Sequence, residues 1–157
     1  MAGVSTSFEF DYASYGANIG FSQKTANRMG EFTAKFQAYL DQVKLIAPIE
    51  LRTNGSTGGE HENNGTSGRN TFALSLAYSQ IINQNFQVEF LVDGVQQTGY
   101  LSLPFHRVYF NDNSVHQEAL PDKRFKIPLG VRANYFLGDK VIMRAYYRYY
   151  TDDWGLK

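Results

Sequence analysis

Charged side chains at strand-like spacing are the first candidates for chemistry in this sequence. They alternate with apolar residues, and the set comprises Glu9, Asp11, Glu89, Asp93, Lys126, Arg132, Arg144 and Arg148. One interpretation is a pore whose basic wall favours the passage of anions. The other is a lumen filled by cross-strand ion pairs, in which the fifth strand neutralises the sixth. Depending on the register, Arg132 could also lie opposite Arg144, which would be unfavourable without water or an acid nearby.

Other residue types give no recognisable catalytic, cofactor or metal site. The chain has no Cys, which excludes thiolate ligands and cysteine nucleophiles. Glu60-His61-Glu62, His106 and His116 lie on separate predicted loops without the ligand spacing of a zinc or iron site. No Ser is placed by a motif beside a His. We therefore predict no catalytic residue, no cofactor and no bound metal ion, and we expect that the protein is not an enzyme.

The net charge gives no sign of a nucleic-acid partner. Lys plus Arg number 15, and Asp plus Glu also number 15, so the formal net charge is zero. A balanced chain has no general field that would attract nucleic acid or an anionic membrane surface. We therefore predict no nucleic-acid partner.

The elements that must position the charged residues are alternating strands, seen best between residues 125 and 149. Every odd position from Phe125 to Tyr135 is apolar, and the even positions between them are polar or small. After a turn near Gly138 the alternation resumes at Val141. Period-two alternation predicts strands with one apolar and one polar face. Each run is about ten residues long, the length that a tilted strand needs to cross a bilayer.

The whole chain follows the same pattern, and strands are predicted near 4–12, 15–22, 31–41, 71–80, 86–94, 124–136 and 140–151. The first hairpin is expected to pair Tyr12 with Tyr15. The polar segments 46–70 and 95–123 are predicted to be mobile loops. Residues 31–45 also fit a helical stripe, so a helix remains an alternative there.

The predicted fold is all-β, an antiparallel up-and-down transmembrane β-barrel. We expect residues 1–157 to be a single fragment of such a barrel with an incomplete set of about seven strands. No signal peptide is visible before Val4, and the sequence ends at Trp154-Gly155-Leu156-Lys157, where a turn to another strand is expected. Both ends are therefore expected to be cut.

Aromatic residues are predicted to form two girdles at the membrane interfaces. With the long loops outside, the outer girdle would contain Tyr12, Tyr15, Phe72, Tyr147 and Tyr149. The inner girdle would contain Phe21, Phe32, Tyr78, Phe86 and Tyr135. The alternative is that Tyr and Phe are simply common in strands.

Two segments carry a family resemblance. They resemble a bacterial family catalogued as a domain of unknown function (number 3570), and they are Gly99-Tyr100-Leu101-Ser102-Leu103-Pro104-Phe105 and Arg144-Ala145-Tyr146-Tyr147-Arg148-Tyr149-Tyr150-Thr151-Asp152-Asp153-Trp154-Gly155. The likeness covers most of the chain and is strongest from Leu120 to the C-terminus. Members of that family look like outer-membrane β-barrel proteins. The resemblance therefore implies a bacterial outer-membrane location, but it implies no activity or ligand.

Three classes of function follow from these observations. The first is an outer-membrane barrel that acts as a passive channel or structural envelope component, with membrane lipid and other envelope proteins as partners. The second is a soluble barrel that binds an apolar ligand on an inward apolar face. The third is a barrel-embedded enzyme, for which no motif speaks. Which face points inward separates the first two classes.

Overall fold

The computed structural model describes residues 1–46, 63–138 and 140–157, and every regular element in these ranges is a β-strand. The strands are β1 (Ala2–Phe8), β2 (Tyr12–Lys24), β3 (Gly30–Ile46), β4 (Asn63–Asn83), β5 (Phe86–Gly99), β6 (Arg107–Tyr109), β7 (Val115–Gln117), β8 (Lys123–Leu137) and β9 (Val141–Asp152). The segment that also fitted a helical stripe is therefore strand β3. The described ranges contain no helix long and apolar enough to cross a membrane.

Seven of the strands form one antiparallel sheet in the order β1-β2-β3-β4-β5-β8-β9, and β6 pairs with β7 in a separate hairpin. This confirms the prediction of an all-β fold with seven antiparallel strands. Strands β1 and β9 are not paired, so the sheet of the described residues is open rather than a closed barrel. Within the same residues each strand approaches only its hydrogen-bonded neighbours, so no second layer covers either face.

The two faces of the sheet differ in exposure. On β2 the apolar-face residues Tyr15 and Ile19 are exposed, whereas Asn18 between them is half-buried. On β3, Leu40 is 52% exposed while its neighbour Asp41 is only 6% exposed. The apolar face is thus the more exposed one. This asymmetry indicates that the polar side chains crowd together, as they do on the inner side of a curved sheet.

The first hairpin differs from the sequence prediction. Phe8 pairs with Ala13, so the turn is formed by residues 9–11, and the predicted pairing of Tyr12 with Tyr15 is wrong. The ring of Phe8 packs edge to face on Tyr15, with centroids 5.6 Å apart. This earlier turn keeps Phe8 and Tyr15 on one face and moves Tyr12 to the polar face. The apolar alternation that continues through the turn residues concealed its position.

The third and fourth strands extend further than predicted. Residues 63–70 were expected in a mobile loop, but they belong to β4, where Thr66 faces Lys44 and Arg69 faces Asp41. Pairing with β3 supplies backbone hydrogen bonds that the Gly- and Asn-rich composition does not reveal. The other residues of that predicted loop, apart from Ile46 in β3, lie at 47–62, outside the described residues.

The second predicted loop, 95–123, is also partly structured. Strand β5 continues to Gly99, and β6 and β7 form a hairpin inside the connection. The N–H of Gly99 donates to the Asp122 carbonyl at 2.8 Å, so the connection leaves and re-enters the sheet at one point. Gly99 has a φ of 101°, and a Cβ there would collide with the Gly68 carbonyl. Only glycine permits this exit from the sheet.

Candidate functional site

The polar face carries a first cluster of hydrogen-bonded polar residues, here called the β2–β4 cluster: Tyr12, Ser14, Asp41 and Arg69. Asp41 lies directly opposite Ser14 on β2 and Arg69 on β4. Its carboxylate accepts from Ser14 Oγ at 2.7 Å and from Arg69 Nε at 3.2 Å. Arg69 Nη2 also donates to the Tyr12 hydroxyl at 3.1 Å. The buried acid is thus balanced by a cation and a hydroxyl from the two neighbouring strands.

A second group, the β8–β9 cluster, uses the same residue types: Arg124, Tyr150, Asp152 and Trp154. Asp152 Oδ2 accepts from Arg124 Nη2 at 2.6 Å and from the Tyr150 hydroxyl at 2.7 Å. Asp152 Oδ1 accepts the backbone N–H of Trp154 at 3.1 Å and of Leu156 at 2.9 Å. The side chain of Asp152 is 0% exposed and that of Arg124 is 19% exposed. The carboxylate is therefore fully engaged on both oxygens.

Trp154 completes this second cluster by covering the cation. The Arg124 guanidinium lies 4.3 Å from the centre of the indole ring, within the range of a cation–π interaction. The indole N–H donates to the Lys123 carbonyl at 2.9 Å, which ties the segment after β9 to the start of β8. Trp154 therefore covers the polar face where β8 begins and β9 ends.

A third, more exposed pair lies towards the opposite end of β8. Arg132 Nη1 donates to Glu89 Oε2 at 2.9 Å, and half of the Arg132 side chain is exposed. The register places Tyr146 opposite Arg132, and Arg144 opposite Asn134. Arg132 and Arg144 are therefore not cross-strand partners, although one possible register would have placed them opposite each other. Such an exposed ion pair contributes little to stability.

The eight charged residues predicted to share a face are mostly brought together. By strand register, Glu89, Asp93, Lys126, Arg132, Arg144 and Arg148 lie on the polar face of β5, β8 and β9. Glu9 and Asp11 instead lie in the turn between β1 and β2. The displacement follows from the earlier turn of the first hairpin.

The aromatic residues predicted to form girdles share the apolar face, except Tyr12. The register places Tyr15, Phe21, Phe32, Phe72, Tyr78, Phe86, Tyr135, Tyr147 and Tyr149 on that face. Phe86 lies opposite Tyr135, with ring centroids 6.3 Å apart. Tyr12 does not belong to this set, because its ring and hydroxyl contact Arg69 on the polar face.

The sequence contains only weak signals that predict the two Arg–Asp–Tyr clusters. Arg69 lies in a segment whose composition predicts a loop, and Asp41 is 28 positions away. Only the strand register brings the two together. For the second cluster a signal existed, since Asp152 and Asp153 precede the one Trp of the chain in a strand ending.

Among the described residues, no three His, Cys, Asp or Glu side chains are grouped so as to hold a metal ion. Glu60-His61-Glu62 lies outside the described residues. His116 packs its ring edge to face on Phe110, with centroids 5.4 Å apart. This ring contact belongs to the β6–β7 hairpin and does not suggest metal ligation.

Comparison with known proteins identifies a family but no activity. A family model described as Protein of unknown function (DUF3570) matches residues 1–157, the whole chain. The match confirms the family resemblance seen in the sequence. No curated protein and no solved structure matches the chain.

Proposed function

This chain belongs to the family of proteins of unknown function DUF3570, and we propose that it forms part of the wall of an outer-membrane β-barrel. The barrel would act as a passive channel or as a structural envelope component. The observation that carries this proposal is the exposed apolar face, on which Ile19 is 61% and Phe36 is 43% exposed. A soluble domain buries such a face under a second layer, whereas a membrane strand turns it towards lipid.

Strand lengths support the proposal. Strands β2, β3, β4, β5, β8 and β9 contain 13, 17, 21, 14, 15 and 12 residues. About ten residues suffice for a tilted strand to cross the hydrocarbon. We assign residues 127–136 and 141–149 as the spanning parts of β8 and β9. The polar segments 63–70, 123–126 and 150–157 then extend beyond the hydrocarbon.

The connections of the sheet also suit this orientation. Short connections join β2 to β3, β4 to β5 and β8 to β9 at one end of the sheet. At the other end, 16 residues separate the end of β3 from the start of β4 in the sequence, and residues 100–122 join β5 to β8. Outer-membrane barrels have short periplasmic turns and longer extracellular loops. The turn at 9–11 is a short connection at the long-loop end.

The distribution of charge favours a membrane barrel over a soluble barrel with an apolar ligand. A soluble ligand-binding barrel would place its apolar face on the less exposed side. Here the less exposed side carries the Asp41–Arg69 and Asp152–Arg124 ion pairs. In the proposed barrel this polar side faces an aqueous lumen, where hydrogen-bonded charges are stable.

Single cysteines can test this orientation, because the chain has no native Cys. Leu74 and Ser75 are adjacent on β4 and lie on the apolar and polar faces respectively. In lipid vesicles we expect a water-soluble thiol reagent to label S75C and to leave L74C unlabelled, while both react in denaturant. The wild-type protein should also require detergent and change its gel mobility on heating.

Two results would contradict the proposal. One is equal labelling of L74C and S75C in vesicles, since the apolar face would then not contact lipid. The other is a wild-type chain that stays monodisperse without detergent. That behaviour would favour the soluble ligand-binding class instead.

A further inference from the structure

Two arginines on the polar face of β9 have no acidic partner in the described part of the chain. Arg144 lies opposite Asn134, and Arg148 lies opposite Gly130. No described carboxylate lies within ion-pair distance of either guanidinium. Both arginines are exposed on the edge strand β9, so an anion can reach their guanidinium groups without first displacing an acidic side chain.

The neighbouring acids are already engaged or distant. Glu89 is paired with Arg132 at 2.9 Å, and Asp152 is paired with Arg124 at 2.6 Å. Asp93 lies on β5, two strands away from β9. The positive charge of the β9 arginines is therefore not neutralised by their own sheet.

Arg144 borders a shallow depression with the chemistry of an anion site. The depression has a volume of about 440 Å³, and its polar lining includes Arg132, Asn134 and Tyr146. Of the two arginines that line it, Arg132 is paired with Glu89, whereas Arg144 has no carboxylate partner among the described residues. The planar fork of a guanidinium matches the oxygens of a carboxylate or a phosphate, and the amide and hydroxyl add neutral donors.

Arg148 continues the same line of charge along β9. It lies four residues beyond Arg144 on the same face, about 14 Å at the rise of a strand. The Tyr146 hydroxyl leans over Gly130, where a Cβ would lie 3.2 Å from it. The glycine therefore leaves space for this tyrosine between the two arginines.

We propose that Arg144 and Arg148 form an anion-binding strip for small solutes that carry carboxylate or phosphate groups. The strip deepens the proposed channel function and rests on it, because only in a barrel would it line a path through the membrane. Binding itself depends only on the folded sheet. The two ideas can therefore fail separately.

Pyrophosphate is a suitable probe, and the folded full-length chain in detergent or buffer, whichever keeps it folded, is the sample. We expect pyrophosphate to shift the side-chain NMR signals of Arg144 and Arg148 in a saturable way. In R144Q/R148Q we expect the affinity to fall by about tenfold or more, because charge-assisted hydrogen bonds are lost. Ionic strength must be held constant, since salt screens exposed charges.

The matched control is R28Q/K35Q, which removes the same charge from the β2–β3 turn and from the polar face of β3. It should bind pyrophosphate like the wild type. Equal weakening in both double variants, or no saturable shift in the wild type, would overturn the strip. If R144Q/R148Q does not fold, R144K/R148K keeps the charge but loses the guanidinium forks and should still bind more weakly. Unchanged affinity in that variant would also overturn the strip.

Discussion

The β2–β4 cluster and the β8–β9 cluster use the same three residue types for different purposes. In both, an arginine donates to an aspartate and to a tyrosine hydroxyl on the polar face. In the first, the aspartate receives its other hydrogen bond from the Ser14 side chain. In the second, it receives two backbone N–H groups from the segment after β9. The first cluster joins three strands, whereas the second also holds a turn.

This difference indicates that the contribution of each ion pair to stability depends on which other donors the aspartate binds. The side chain of Asp41 is 5% exposed, and that of its partner Arg69 is 32% exposed. The side chain of Asp152 is 0% exposed, and its partner Arg124 lies against the indole ring of Trp154. Removing the second acid therefore leaves more donors without an acceptor.

The largest expected effect is a loss of stability in D152N, greater than that in D41N. For D41N we expect the free energy of unfolding to fall by about 2 kcal/mol, the value of a charged hydrogen bond. Urea unfolding followed by far-UV circular dichroism measures both. D122N, at an exposed acid beyond the sheet, is the control and should match the wild type. Equal losses in D41N and D152N would remove the distinction between the clusters.

We expect the hydrogen bonds of the β8–β9 cluster to break only at very low pH, when Asp152 becomes protonated. Burial raises the pKa of Asp152, but hydrogen bonds from Arg124, Tyr150 and Leu156 outweigh burial and hold the pKa at about 2, against an ordinary 3.8. Because the folded pKa is lowered, the stabilisation is complete above about pH 4 and is lost as the pH falls through 2. Trp154 fluorescence should report this transition, since the chain has one Trp.

The D152N variant provides the control for this titration and should show no Trp154 transition between pH 4 and pH 2. A wild-type transition centred above pH 4 would contradict the assignment. It would mean that the hydrogen bonds to Asp152 do not outweigh its burial.

The smallest expected effect is the difference in stability loss between the variants Y150F and Y12F. Y150F loses a hydrogen bond to Asp152 and another from Arg124, whereas Y12F loses only the one from Arg69. At about 1 kcal/mol for each net hydrogen bond, Y150F should cost roughly twice as much as Y12F. Urea unfolding with Y15F as the control, at a tyrosine of the apolar face, measures the difference. A larger loss in Y12F would reverse the ranking of the clusters.

Much of the sheet could be predicted from the sequence because side-chain alternation is a local property. The alternation from Phe125 to Tyr149 predicts β8 and β9, and the alternation around Phe36 proved a better guide to β3 than its helical stripe. Turn position was harder to predict. The apolar residues Phe10 and Tyr12 continue the pattern of β1 through the real turn. Residues 63–70 form a strand only because β3 extends far enough to pair with them.

The site was less predictable, since it depends on which residues face each other across strands. The sequence left two interpretations open, a basic pore wall and cross-strand ion pairs. The strand register forms one such ion pair, between Glu89 on β5 and Arg132 on β8. Arg69 and Asp41 could not be paired without knowing that β4 begins at Asn63. Composition identifies charges on a face, but long-range register decides which of them are neutralised.

The connection between β5 and β8 leaves the sheet at Gly99 and forms a structural unit separate from it. The backbone hydrogen bond from Gly99 to Asp122 closes its base, and the β6–β7 hairpin lies wholly outside the sheet. Lengthening a closed loop costs little entropy, because the cost grows only with the logarithm of its length. An epitope or a binding peptide inserted at the tip, near Asn113, would therefore be displayed without disturbing the strand register. We therefore expect the sheet to keep its strand register when residues at the tip of this connection are replaced.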